Sequence, residues 1–100
     1  MMLASVEKTG SGLALAGVLD YRTGAHLREQ GRQLLASCEQ AVVVVDCSAV
    51  EKASSVGVSL LLAFTRDAQA VGKQLKVQAM PTDIQQIADV CGIVELFETV

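Results

Sequence analysis

Ser54 and Ser55 stand side by side ahead of an apolar run, and Ser59 follows one helical turn later. With His26, Asp46 and three cysteines, they are the side chains of this chain that could do chemistry. A serine nucleophile needs a general base within hydrogen-bond reach, itself oriented by a third group. His26 is the single histidine, and its spacing from Asp46 and from Ser54 or Ser55 supports no such assembly. It also has no His or Cys three or four residues on, so a metal site is not expected. Cys38, Cys47 and Cys91 are odd in number and form no CxxC pair, which fits neither a zinc site nor a disulfide framework. They read as reduced thiols, and a reducing compartment follows. No P-loop motif is present, and Gly10-Ser11-Gly12 is a poor dinucleotide fingerprint. The expectation is a protein that is not an enzyme and holds no cofactor.

The serines have a second use. Ser54 and Ser55 are candidate N-caps, placed where free backbone N–H groups and the positive end of a helix dipole converge. A phosphate there would be well tolerated within the domain, yet its charge would be expelled from an apolar interface. Both are therefore candidate phosphorylation sites.

The elements that must position them can be read along the chain. Leu3 to Lys8 is a short strand, Thr9 to Gly12 a turn, and Leu13 to Leu19 a second strand, so the two form a hairpin. Asp20 is expected to cap a helix running to about Cys38, with Leu27, Gly31, Leu34 and Cys38 as its apolar stripe. Ala41 to Cys47 is a continuous apolar, β-branched run, which reads as a central strand covered on both sides or otherwise fully buried. Ser48 to Ala53 is expected to be a loop. A second helix spans about Val56 to Val71, closed by Gly72. Leu75, Val77 and Ala79 alternate with polar residues as a half-exposed strand. Thr82 or Asp83 caps a third helix, with Ile84, Ile87, Ala88 and Cys91 on one face and Gly92 at its end. Ile93 to Val100 is an apolar tail that can pack back on the core. The order is β-β-α-β-α-β-α: an α/β fold with a small mixed sheet of about four strands and helices packed on it, as one domain over residues 1–100.

Composition narrows the function classes. The chain has 100 residues, one domain's worth, with 51% hydrophobic and 19% charged. That is too apolar for intrinsic disorder. A net charge of −3 without a basic patch argues against binding nucleic acid or anionic lipid directly. The first residues lack the basic and apolar regions of a signal peptide, and no stretch reaches the ~18 apolar residues of a membrane span. A soluble, cytoplasmic protein is expected.

The second helix is unusually apolar. At ~100° per residue, Val56, Leu60, Phe64 and Val71 share a core side. Val58 and Leu62 fall roughly opposite, flanked by Ser59 and Arg66, where a surface helix is normally charged. An apolar centre with a small polar rim and one arginine reads as a patch for docking a protein partner.

The stretch Asp46-Cys47-Ser48-Ala49-Val50-Glu51-Lys52-Ala53-Ser54-Ser55-Val56-Gly57 resembles the signature region of STAS domains, among them the anti-sigma-factor antagonists. Leu13 to Asp20 and Gly72 to Val77 resemble two further motifs of that family, in the same order. Gly10 to Asp20 is most similar to the small STAS subunit of Mla-type phospholipid ABC transporters. That resemblance implies a cytoplasmic subunit docked on the transporter's ATPase, peripheral to the inner membrane only through that partner. It would stabilise the ATPase in support of outer-membrane lipid asymmetry. The contact residues it implies are Ser54, Ser55, Val58, Ser59, Leu62 and Arg66. The alternative it leaves is an anti-sigma-factor antagonist switched by serine phosphorylation. The chain departs from the family's pattern at Ala53, where an acidic residue is usual, and at Val56, which precedes Gly57 and displaces the expected glycine.

Overall fold

The computed structural model describes residues 3–100. Strands β1 (Ala4–Lys8) and β2 (Gly12–Leu19) form the expected antiparallel hairpin. Helix α1 (Gly24–Ser37) then leads to β3 (Val42–Ala53), which lies parallel to β2. Helix α2 (Ser55–Ala70) leads to β4 (Gln74–Gln78), parallel to β3, and α3 (Thr82–Val90) follows. The sheet order is β1-β2-β3-β4, a mixed four-stranded sheet in the element order read from the sequence.

The core-facing stretches of β2, β3 and β4 alternate. Leu13, Leu15 and Leu19 of β2, Val43, Val45 and Cys47 of β3, and Leu75 and Val77 of β4 are buried with Leu27 and Leu35 of α1 and Leu61 and Phe64 of α2. The other face of the sheet carries Ala14, Ala16 and Val44, half-buried, and Val42, 41% exposed. The valine run is therefore covered on one side only, not on both. The molecule measures 34 × 32 × 20 Å, and its least dimension fits one sheet plus one helix layer.

Local chemistry moves several boundaries. Asp20 does not cap α1. Its carboxylate accepts from the Arg22 backbone N–H at 2.9 Å and pairs with the Arg22 guanidinium at 2.7 Å, closing a turn before the helix. That pairing holds the Asp20 carboxyl below its ordinary value. Thr23 stands at the N-cap instead, its hydroxyl donating to Val18 O. In α1 Leu35, four residues after Gly31, is buried together with Leu27, while Leu34 is half-buried. Ser48 to Ala53 is not a loop. It continues β3 beside β2, at the cost of register shifts between Ala14 and Ala16 and between Gly17 and Val18. Pro81, not Thr82 or Asp83, stands at the N-cap of α3, and Asp83 accepts from the Ala53 N–H at 3.3 Å. β4 ends at Gln78, because Ala79 takes a positive φ of 56°. The tail packs back as expected: Phe97 is buried, and Thr99 pairs with Val77 along the edge of β4.

Candidate docking surface

The serine pair sits where β3 hands over to α2. Ser54 is the N-cap: its Oγ accepts from the Val56 N–H at 3.2 Å and donates to Leu19 O at 3.4 Å. Its own N–H donates to the same carbonyl at 2.9 Å. Both faces of its hydroxyl are thus engaged in tying the helix start to the end of β2. Ser55 opens the helix and is exposed.

Helix α2 is buried on three sides. Its underside covers the sheet. One flank meets α1, where Gly24 and Gly31 have no Cβ and so admit Val56 and the Phe64 ring. The other flank meets α3, where Gly57 lies against Ile84. Val58, next to Gly57, is 5% exposed and part of the core. It is therefore corrected from partner contact to packing residue. A helix lying between two others needs apolar residues well around its circumference, and periodicity alone does not reveal the neighbours.

What remains outward is a stripe of Ser55, Ser59, Leu62 and Arg66, at spacings of four, three and four residues. Ser55, Ser59 and Arg66 are exposed, and Leu62 is half-buried, resting on the core. Five of the six residues implicated by sequence thus lie at or beside one surface.

Two neighbours of the stripe were not legible in the sequence. On one side, Tyr21, Gly24 and Arg28 form a groove with Val56 and Ser59, and Tyr21 is 85% exposed. At the helix start, a cleft of about 240 Å³ is lined by Asp20, Lys52, Ala53, Ser54 and Asp83. Only the extension of β3 and the arrival of α3 put Lys52 and Asp83 there, so no local motif could have marked them. Its surface is mostly apolar, with the side chains of Asp20, Asp83 and Lys52 among its lining residues. Cys47 lies far from such use: burial and the neighbouring Asp46 charge push its thiol up to about 12. Among the described residues no three His, Cys, Asp or Glu side chains converge, and no helix is long and apolar enough to cross a membrane.

The chain is similar to known proteins over nearly its whole length. The family model described as "Mlab, STAS domain" matches residues 4–98. No curated protein matches the sequence. Among solved structures, an anti-sigma factor antagonist from Mycobacterium paratuberculosis superposes with a TM-score of 0.75 at 22% identity, covering 96% of this chain and 82% of that one. The anti-sigma factor antagonist SpoIIAA in its unphosphorylated form superposes with a TM-score of 0.71 at 14% identity, covering 97% and 87%. The STAS domain of a SulP transporter from Vibrio cholerae superposes with a TM-score of 0.57 at 16% identity, covering 79% and 63%. At these identities the likeness is one of fold.

Proposed function

Because the chain belongs to the STAS domain family, as the match over residues 4–98 establishes, we propose that it works without catalysis, by docking a partner protein on the outward stripe of α2. The partner in this reading is the ATPase of an Mla-type phospholipid ABC transporter. The protein would then act in the cytoplasm, held at the inner membrane through that complex, stabilising the ATPase and so supporting outer-membrane lipid asymmetry.

The observation that carries the reading is the stripe itself. Ser55, Ser59, Leu62 and Arg66 stay outward on a helix whose other three sides are buried. A half-buried leucine among small polar side chains and one guanidinium is the composition of an interface core with its rim. Small residues at Ser55 and Ser59 also let a partner's backbone come close.

The second reading is an anti-sigma-factor antagonist switched by serine phosphorylation. It is favoured by one specific observation, the fold likeness to SpoIIAA, which has been solved in unphosphorylated and phosphorylated forms. Two features weigh against it here. Ala53 stands where the family usually has an acidic residue. A phosphate on Ser54 would displace two hydrogen bonds and enter a cleft that already holds Asp20 and Asp83. Ser55, exposed and not the cap, is the better acceptor of the two.

The test is affinity capture of the tagged protein from its own cell extract beside the Leu62→Arg variant, with the captured proteins identified by mass spectrometry. An ABC ATPase recovered by the wild type and lost with the variant supports docking on α2. An anti-sigma kinase recovered instead makes the second reading correct, with Ser55 the first residue to replace.

A further inference from the structure

We infer that the docking surface turns from α2 onto the C-terminal segment, where it takes a partner segment carrying basic side chains around an apolar anchor; this rests on the docking reading above. A groove of about 330 Å³ lies between the C-terminal half of α2 and the segment that follows α3. Thr65 and Gln69 form one wall, and Glu95, Leu96 and Glu98 the other. Leu96 is 57% exposed although the next residue, Phe97, is buried. Its outward position is held in place. Val94–Leu96 is a turn of 3-10 helix, and beyond it Phe97 and the pairing of Thr99 with Val77 tie the chain to β4. An exposed leucine on a tethered segment is a different object from one on a frayed end, because less backbone ordering is needed when a partner covers it.

The charges around Leu96 choose the partner's chemistry. Glu95 enters none of the ion pairs among the described residues. Among the described residues the Glu98 carboxylate accepts only from the neutral amide of Gln74. Lys73, the cation of the groove, has its Nζ donating to Gln40 O at 2.9 Å. The rim thus offers carboxylates that lysine or arginine of a partner would complement, around one apolar anchor point. The groove also joins the stripe. At ~100° per residue, Leu62, Thr65 and Gln69 fall within ~60° of one another around α2. A partner covering Leu62 therefore reaches Leu96 across Thr65 and Gln69.

The test measures binding kinetics of the purified lipid-transporter ATPase from the same organism on the immobilised protein, at low and at physiological ionic strength. Four variants are compared: Leu62→Arg, Glu95→Lys, Leu96→Asp, and Val90→Asp as an exposed apolar control on α3, outside the groove. Glu95→Lys is expected to slow association about tenfold at low salt and to flatten its salt dependence, because a rim charge acts on encounter. Leu96→Asp is expected to speed dissociation about tenfold by removing the anchor. Val90→Asp should bind as the wild type does. If Glu95→Lys and Leu96→Asp bind like the wild type while Leu62→Arg fails, the groove is no part of the interface and docking on α2 stands. An equal loss with Val90→Asp also overturns the groove. If the wild type itself does not bind the ATPase, the docking reading fails and the inference with it. Glu95 is exposed on the described surface, so Glu95→Lys decides the matter even if Leu96→Asp disturbs the fold.

Discussion

Cys47 and Cys91 carry the same thiol in opposite environments. Cys47 is 2% exposed under the helices, with its thiol pushed up to about 12, whereas Cys91 is exposed. The reactive species is the thiolate. A maleimide at neutral pH should therefore label Cys91 alone in the native protein, and Cys38 and Cys47 only after denaturation, as mass spectrometry would count. The Cys47 shift also has a sign in stability. Its folded value lies above the ordinary thiol value, so its contribution is complete below about pH 8.5 and is lost as pH rises toward 12. Chemical denaturation across that range should show a declining midpoint. Replacing Cys47 by Ser, whose hydroxyl does not titrate there, should lessen the decline. Gly17 is the other residue whose surroundings leave no choice. Its φ is +89°, and a Cβ there would overlap the Leu3 carbonyl oxygen, which is backbone and accepts from Val18 N–H. Gly17→Ala should cost about 1–3 kcal/mol or more, read from urea unfolding.

At the scale of the element, α2 separates buried from outward apolar residues within one turn. Val58 and Leu62 are four residues apart and of similar character, and periodicity places both away from the sheet. The structure divides them: Val58 is enclosed in the core, and Leu62 reaches the surface. Val58→Arg buries an unpaired charge and should destabilise by at least about 3 kcal/mol, enough to unfold a marginal domain. Leu62→Arg can extend its guanidinium into water and should leave the far-UV circular dichroism and the melting transition nearly unchanged. If both variants unfold, Leu62 is core and the docking surface loses its centre. The lesson of β3 is similar. Its valine half announces a strand, whereas Ser48–Ala53 has no local strand signature and is held in the sheet by pairing with β2.

For the whole molecule, stability is unevenly spread because the sheet has helices on one face. The central strands β2 and β3 join hairpin, crossover and core, while the region from Val90 to Leu96 packs only partly and exposes Val90 and Leu96. Native-state hydrogen exchange should therefore leave the amides of Leu15, Val43 and Val45 slowest, with those between Val90 and Leu96 among the fastest. Uniform protection would contradict that gradient. Binding of a partner on α2 and the C-terminal segment should slow exchange at Val94–Leu96 more than in β2, since the central strands are already limited by global unfolding.

The element order, the hairpin, the core strands and the start of α2 follow from the sequence alone, because they rest on local signals. Those signals are alternation, a 3.6-residue apolar period, a capping serine and glycines after helix ends. Ser55, Ser59 and Arg66 were legible as one side of α2 for the same reason, helical spacing, and Ser54 as a capping residue type. Tertiary structure alone decided which apolar residues of α2 face water, because that depends on α1 and α3 arriving on its flanks. It also brought Asp83 and Lys52 to the helix start and Leu96 to the groove, through contacts between residues far apart in the chain. Asp20 is the clearest case. As a residue type it suits an N-cap, yet Arg22 two positions on offers a charged partner, and that pairing moves the helix start to Thr23.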